Sequence, residues 1–273
     1  MIDPELKGRR AVVTGGASGI GQAIALGLAY EGTEVVIIDR VGADDTLAAA
    51  QAHGTQAHSL TVDLSVRRDA EEAVRQAVDL MHGLDIVVNA AGVTRHESVT
   101  QLTDDGWRTA IDTNLAACAW VCRMAAHEFV AQHSGTILVI GSTVIHNPAY
   151  RELSYRVSKV GLRALVETFA VELACHGVRV NMLSPGAVAS RLVEQLPAEI
   201  RSRTVNEIPL RREATPNEIV PTALLLLSDR LSPYTTGAEV LVDGGIHLRP
   251  MPILTDADLF ALNPSSTGRS RQC

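Results

Sequence analysis

The sequence has few aromatic residues and no excess of positive charge. Aromatic residues make up only 3% of the 273 residues, so the core must be built from Ala, Val, Leu and Ile. The net charge of −7 argues against a nucleic-acid-binding protein, which needs a basic surface for the phosphate backbone. No apolar run approaches the length that crosses a bilayer, and residues 1–10 lack the apolar segment of a signal peptide. We therefore expect a soluble acidic protein that binds neither nucleic acid nor a membrane.

Cysteine and histidine show no functional spacing either. The four cysteines form no CxxC pair and no disulfide framework, which predicts a reduced, cytoplasmic setting. Cys118 and Cys122 are four residues apart and are predicted to fill core space on one helix face. The nine histidines form no HExxH motif and no Cys/His cluster, so no metal site is predicted.

Short β-branched runs alternate with longer helical patterns along nearly the whole chain. This alternation, with 46% apolar residues and no polar linker, predicts one α/β domain over residues 1–250. Its expected architecture is a doubly wound parallel β-sheet with helices on both faces. The predicted strands are residues 10–14, 34–38, 56–62, 85–88, 136–141, 178–183 and 239–242, and the predicted helices are residues 19–30, 46–52, 66–81, 105–133, 153–175 and 216–227.

Two segments fall outside this pattern. Residues 186–210 have mixed charges and no clean period, which predicts an irregular excursion. Residues 251–273 form a C-terminal extension whose polar end is predicted to be frayed. We hypothesise that residues 251–262 pack on a neighbouring subunit near its active site, which a truncation after Gly245 would test.

A glycine-rich segment, residues 14–21, joins the first predicted strand to the first predicted helix. Glycines there let the backbone turn tightly and approach a diphosphate, and the positive end of the helix attracts its charge. The placement inside a βαβ unit favours nucleotide binding over a simple turn. The predicted binding residues of this loop are Gly15, Ser18, Gly19, Ile20 and Gly21.

Asp39 ends the second predicted strand, about twenty residues after the glycine loop. A carboxylate there accepts hydrogen bonds from both hydroxyls of an adenine ribose and repels a 2′-phosphate, which predicts NAD as the cofactor. Arg40 is a complication, because an arginine in this turn can neutralise a phosphate. Asp39 as a plain turn residue is the alternative interpretation.

Tyr155 and Lys159 lie four residues apart on a predicted helix and project from one face. An ammonium near a phenol favours the phenolate, so we expect a lowered pKa for Tyr155 and proton exchange at neutral pH. Taken alone, this spacing occurs on many solvated helices. The motifs that precede this pair in the chain favour a functional role for it.

The order of the motifs along the chain resembles the short-chain dehydrogenase/reductase family. In this order they are the glycine loop, Asp39, Asp63, residues 89–92, Asn114, Ser142, Tyr155 and Lys159. The similarity spans residues 7–245, and it implies a Rossmann-type domain, an NAD-preferring oxidoreductase and a homotetramer, or a homodimer. It also implies that Asp63 and the Leu64 backbone bind adenine, and that Pro185, Gly186 and Val188 shield the nicotinamide. Residues 89–92 match the family's Asn-Asn-Ala-Gly motif except that Ala90 replaces the second Asn. We therefore add Asn89, Ala90, Gly92, Asp39, Arg40, Asp63, Leu64, Tyr155 and Lys159 to the predicted cofactor-binding residues. Ser190 lies near the position of a threonine that is usual in the family, and it keeps the hydroxyl. The turn at residues 243–245 also matches the family's common closing turn.

The same resemblance gives the catalytic set its roles. Tyr155 exchanges the proton, and Lys159 supplies charge and holds the nicotinamide ribose. Ser142 would hydrogen-bond the developing oxyanion. Asn114, unfavourable inside a helix, suits a residue kept to hold a water between Lys159 and solvent. The simpler alternatives are a strand-end cap for Ser142 and a tolerated polar residue for Asn114.

The substrate pocket is predicted to follow three strand ends, where polar side chains are frequent. This lining favours a sugar, a polyol or a small hydroxy acid, with a secondary alcohol interconverted with its ketone. The alternative is that several of these side chains face solvent. The candidates are Thr94, Arg95, His96, His146, Asn147, Arg151 and Arg191, of which His96 and Asn147, with Ser142 and Tyr155, are predicted to bind the substrate.

Other functions remain open at this point. A 3-oxoacyl thioester reductase, as acts on acyl carrier protein, would normally prefer NADPH, and Asp39 argues against it. A nucleotide-sugar epimerase or dehydratase would need a different glycine loop and a longer C-terminal portion. A non-catalytic NAD-binding scaffold would be expected to have lost Tyr155 or Lys159.

Overall fold

Seven strands form one parallel sheet in the computed structural model, which describes residues 3–189 and 205–248. In chain order the strands are Arg10–Thr14 (β1), Glu34–Asp39 (β2), Ala57–Thr61 (β3), Ile86–Asn89 (β4), Gly135–Ile140 (β5), Val178–Pro185 (β6) and Glu239–Val242 (β7). Their spatial order is β3-β2-β1-β4-β5-β6-β7, and every pairing is parallel. The predicted fold class is therefore confirmed.

The chain turns back at β1, because β1 has β2 on one side and β4 on the other. In an open parallel sheet such a reversal leaves a crevice at the carboxyl ends of the two inner strands. The residues that follow β1 and β4 are the glycine loop and Ala90–Gly92. The topology alone therefore brings two of the predicted motifs together.

Helices cover both faces of the sheet. The helices are Gly19–Tyr30 (α1), Asp44–Ala52 (α2), Arg67–Met81 (α3), Asp104–Ala110 (α4), Ala117–Gln132 (α5), Leu153–Leu173 (α6) and Val220–Leu227 (α7). One apolar core joins α3, α5 and α6 to the sheet, and a second joins α1, α2 and α7 to its other face. The side chains of these cores are mostly Ala, Val, Leu and Ile, as the composition predicts.

Most predicted elements match the structure to within two residues, and β1, α1 and β7 match at both ends. The largest difference lies in the predicted helix 105–133. A π-helical turn at Ile111–Ala116 separates α4 from α5 and places Asn114 in its middle. Such turns frequently occur at functional sites. The predicted helix 216–227 begins with a 3₁₀ turn at Pro216–Glu218 before α7.

Some predictions fall outside the described residues. Ser190, Arg191 and the extension 251–273 with its proposed subunit contact are among them. Over residues 3–189 and 205–248, no helix is long and apolar enough to span a membrane, and no three His, Cys, Asp or Glu side chains gather as metal ligands do. Cys118 and Cys122 lie on α5 and are buried in the apolar core, with their Sγ atoms 3.9 Å apart.

Candidate active site

A cleft of about 1140 Å³ opens at the carboxyl edge of the sheet. The glycine loop and the ends of β2 and β3 line one part of it, and Ser142, Tyr155 and Lys159 line another. Because every strand is parallel, the loops after β1, β2, β4, β5 and β6 all reach this edge. The motifs predicted to act together therefore share one cavity.

The glycine loop packs too tightly for side chains. Gly15 has a φ of 69°, and a Cβ there would lie 2.7 Å from the backbone of Ala91. A Cβ on Gly21 would overlap the carbonyl oxygen of Gly15. The first turn of α1 holds no acidic residue that would neutralise its positive end. A diphosphate therefore fits the backbone cradle and the charge of this end of the cleft.

We expect Gly21→Ala to weaken binding of a dinucleotide at least about tenfold, because the new methyl must displace the Gly15 carbonyl from the cradle. Fluorescence titration with the reduced cofactor measures the change. Gly42→Ala is the matched control, since a Cβ there meets nothing closer than 3.9 Å. Equal affinity in wild type and Gly21→Ala would contradict the assignment of this loop.

Two acidic residues follow the neighbouring strands β2 and β3. Asp39 accepts hydrogen bonds from the Ala17 N–H at 3.0 Å and the Val41 N–H at 3.3 Å, so it also fixes the glycine loop. Asp63 accepts from the Ser65 hydroxyl at 2.7 Å and from its N–H at 3.0 Å. These bonds, with a smaller contribution from Arg40, lower the pKa of Asp63. Both carboxylates and Arg40 line the cleft at the end predicted to bind the adenosine.

Most other predicted cofactor-binding residues also line the cleft, but Asn89 does not. Its side chain is buried and donates to the Cys122 Sγ at 3.2 Å. Successive residues of a strand face opposite sides of the sheet, so Asn89 enters the core on the α5 side. The residues that do line the cleft are Ser18, Gly19, Ile20, Leu64, Ala90, Gly92, Pro185, Gly186 and Val188.

Tyr155 lies in the first turn of α6 and lines the cleft, where it is half-buried. Burial raises the pKa of its phenol and the nearby Glu152 raises it further, while hydrogen bonds with Ser142 and Thr94 lower it. The overall shift is upward, so the sequence-based expectation of a lowered pKa is wrong. The reason is that the effect of burial on the phenol is the largest one. Lys159 Nζ lies 5.7 Å from the centre of the phenol ring and donates to the Ile140 carbonyl at 2.8 Å.

Lys159 is buried one turn further along α6. Burial lowers its pKa from 10.5 to about 8, which still leaves the amine mostly charged at pH 7. A charged group with so little water around it interacts strongly with any partner that enters the cleft. Gly92 lies beside it, since a Cβ there would be 3.7 Å from Nζ and 3.3 Å from the Asn114 Oδ1.

Asn114 fixes the loop that follows β4. Its Oδ1 accepts from the Val93 N–H at 2.7 Å, and its Nδ2 donates to the Val93 carbonyl and the Ser158 hydroxyl, both at 3.0 Å. Both amide hydrogens of the side chain therefore bind protein groups. Asn114 holds the start of the loop that follows β4 against α6, and its water-holding role stays a prediction.

The predicted substrate-binding residues are placed differently from one another. His96 lines the cleft with its Nδ1 3.3 Å from the Glu152 carboxylate. Asn147 also lines it and donates to the Ile246 carbonyl at 3.0 Å. His146 instead turns towards β7, where its Nε2 lies 3.0 Å from Glu239. Ser142 accepts from the Val144 N–H at 3.3 Å and lines the cleft beside Tyr155.

Glu152 and Thr94 also belong to this part of the cleft. Thr94 is among the predicted pocket residues, whereas Glu152 is missing from the predicted binding residues. Glu152 lies three residues before Tyr155, one helical turn away, so the spacing rule that pairs Tyr155 with Lys159 could have found it.

Comparison with known proteins matches this chain to proteins described as acyl-carrier-protein reductases. A family model described as Enoyl-(Acyl carrier protein) reductase matches residues 15–247. The 3-oxoacyl-[acyl-carrier-protein] reductase FabG of Thermotoga maritima is 31% identical over 245 residues, which cover 88% of this chain and 98% of the relative.

Solved structures add relatives that are described as dehydrogenases. One, described as a 2-deoxy-d-gluconate 3-dehydrogenase from Agrobacterium tumefaciens with bound NADP, is 32% identical with a TM-score of 0.85, over 91% of this chain and all of the other. An NAD⁺-bound xylitol dehydrogenase is 26% identical with a TM-score of 0.84, over 88% of this chain and all of the other.

Proposed function

We propose that this chain, which belongs to the short-chain dehydrogenase/reductase family, interconverts a secondary alcohol and its ketone with NAD. The chain is an oxidoreductase acting on CH–OH donors. The family binds a nicotinamide cofactor, which supplies or accepts the hydride when bound. The observation that carries the proposal is that the glycine cradle and the Ser142–Tyr155–Lys159 group share one cleft.

The protein's own residues manage the oxygen and its proton. Ketone reduction places a negative charge on oxygen, and the Tyr155 hydroxyl donates the proton that neutralises it. Ser142 donates a hydrogen bond to the same oxygen and orients it. Alcohol oxidation runs the same steps backwards, with the proton passing to Tyr155. Lys159, charged and buried at the wall of the cleft, would hold the nicotinamide ribose and stabilises the phenolate that reduction leaves.

A substrate panel tests this proposal. Polyols, secondary alcohols and hydroxy acids are offered with NAD or NADP, and ketones with the reduced cofactors, while nicotinamide absorbance is followed. We expect turnover with at least one alcohol–ketone pair. A folded protein that binds the cofactor and turns over none of them would instead be a binding scaffold.

The preference for NAD is proposed from Asp39. Its carboxylate lies in the cleft at the end of β2 and would repel a 2′-phosphate, although Arg40 beside it would attract one. We expect Asp39→Asn to lower the ratio of kcat/KM for NAD over NADP at least about tenfold. Asparagine keeps an acceptor for the Ala17 N–H, so the loop is retained while the charge is lost. A wild-type preference for NADP would overturn this proposal.

A 3-oxoacyl thioester reductase is the second candidate. Its support is the similarity to FabG proteins, which extends over nearly their whole length. The raised pKa of Tyr155 also suits a proton donor, because the phenol is protonated at neutral pH. An acetoacetyl thioester with NADH and NADPH belongs in the panel, and turnover of it well above every polyol and hydroxy acid would favour this candidate.

Assembly as a homotetramer or homodimer stays a prediction, as does a cytoplasmic location. Support for assembly comes from α6, which exposes several apolar side chains along its length. Light scattering of the purified protein measures the assembly directly. The exposed apolar residues of α6 are Leu153, Val157, Val160 and Val171.

A further inference from the structure

A carboxyl–imidazole pair lies beside Tyr155, and neither group donates or accepts the proton in the proposed transfer. Glu152 Oε1 and His96 Nδ1 are 3.3 Å apart, and both side chains line the cleft. The Glu152 side chain is 18% exposed, whereas that of His96 is 59% exposed. The carboxylate therefore lies deeper in the cleft and the imidazole nearer its mouth.

The backbone fixes this pair in place. Glu97 and Glu152 form a parallel bridge between the loops that follow β4 and β5, in which the Glu97 N–H donates to the Arg151 carbonyl at 2.8 Å. Arg151 adopts a left-handed φ of 64° just before Glu152, a conformation that costs a non-glycine residue free energy. Glu152 is also close enough to Tyr155 to affect the phenol electrostatically. It therefore lies within reach of a substrate whose reacting carbon is beside Tyr155.

The charges around this pair disfavour an anionic substrate. Among the cleft-lining residues that the structure describes, the acidic side chains are Asp39, Asp63, Glu152 and Glu207, and the basic ones besides histidine are Arg40 and Lys159. Arg40 lies beside Asp63 at the adenosine end, and Lys159 donates to the Ile140 carbonyl beneath the nicotinamide end. Among the described residues of the cleft, a substrate carboxylate beside Tyr155 would thus face Glu152 and no guanidinium that offsets its charge.

We infer that Glu152 and His96 bind hydroxyl groups of an uncharged polyol or ketose next to its reacting carbon, and that Glu152 excludes hydroxy acids. The inference rests on the proposed function and narrows its substrate class. A carboxylate accepts hydrogen bonds from neighbouring hydroxyls, and an imidazole donates or accepts one. A half-buried carboxylate also repels a second carboxylate strongly, because little water screens the two.

The pair also disfavours a 3-oxoacyl thioester at this position. Such a substrate brings an alkyl chain and carbonyl oxygens to the reacting carbon, and none of these donates a hydrogen bond to a carboxylate. Binding it would desolvate the Glu152 carboxylate without giving it a hydroxyl partner, and a site built for hydroxyls rejects substrates that lack them. A polyol substrate therefore accounts for a carboxylate at position 152 beside the reacting carbon, whereas a 3-oxoacyl thioester substrate does not.

The experiment compares polyols with the aldonic acids of the same chain length, using kcat/KM for wild type, Glu152→Gln and Glu207→Gln. We expect wild type to prefer the polyol at least about a hundredfold, and Glu152→Gln to reduce this preference at least about tenfold. The ratio is the readout because Glu152 also affects the pKa of Tyr155, which changes both rates together. Glu207→Gln is the matched control for loss of one cleft carboxylate.

Each outcome decides between the explanations. A wild-type enzyme that turns over polyol and acid equally, or an unchanged ratio in Glu152→Gln, overturns the inference while leaving the oxidoreductase proposal intact. An equal drop in Glu207→Gln assigns the effect to the overall charge of the cleft and overturns the role of the pair. Turnover of the acetoacetyl thioester but of neither polyol nor acid also overturns the inference, whereas failure of the oxidoreductase proposal itself is distinct, since no alcohol, acid or thioester would then turn over. Titration with reduced cofactor confirms that each variant is folded.

Discussion

Tyr155→Phe lowers kcat by about a thousandfold or more in the expected result, in either direction of the reaction. The change removes one oxygen and with it the group that exchanges the proton, and general acid–base catalysis contributes about 10²–10⁴ in rate. Phenylalanine fills nearly the same half-buried space, so the fold and the affinity for the cofactor should be kept. Steady-state kinetics and a cofactor titration on the same preparation measure the two quantities.

The pH dependence gives this prediction a second readout. Burial raises the pKa of Tyr155 above its usual 10, so the phenol is protonated throughout the neutral range. Ketone reduction, which needs the protonated form, should change little between about pH 6 and pH 8. Alcohol oxidation needs the base form and should rise with pH. Substantial turnover by a folded Tyr155→Phe would show that another group moves the proton, and Thr94→Ala serves as the neighbouring-hydroxyl control.

Lys159→Met should have opposite effects on activity and on stability. Removing the amine is expected to lower kcat/KM at least about a hundredfold, because the charge that holds the ribose and steadies the phenolate is lost. The free energy of unfolding should rise, since methionine is apolar and of similar length. The difference between a pKa of 10.5 and one of about 8 corresponds to about 3 kcal/mol at neutral pH. The lost hydrogen bond to the Ile140 carbonyl offsets part of that gain.

The sign of this stability effect can be checked by pH. Below pH 8 the lysine is charged in both states and the folded protein carries the whole penalty of burying it. Between about pH 8 and 10.5 the unfolded chain binds more protons, so the stability contribution of Lys159 rises with pH. The Tm difference between Lys159→Met and wild type should therefore shrink from pH 7 to pH 10. Arg163→Met, at an exposed position on the same helix, is the control. A destabilised Lys159→Met at pH 7 would contradict the buried-charge explanation.

The order of motifs in the sequence predicts the fold and the position of the cleft, because both follow from the alternation of strands and helices. Asn89 shows one limit, since its motif is recognisable while its side chain faces the core. Tyr155 shows another, since its pKa depends on burial and on Glu152, which only the packed structure reveals. Asn114 shows a third, because a helical pattern does not distinguish a π turn from an α turn.

The π-helical turn at Ile111–Ala116 changes the rotation of α5 about the helix axis relative to α4. An α-helix advances about 100° per residue, so the additional residue of a π turn offsets everything after it by about that angle. α4 can thus present Gly106 to the Glu97 side chain in the loop that follows β4, while α5 turns Cys118 and Cys122 into the core. The rotation of α4, which contacts this loop, is therefore independent of the rotation of α5, which packs on the sheet. A change in the length of this loop could then reorient α4 without repacking α5.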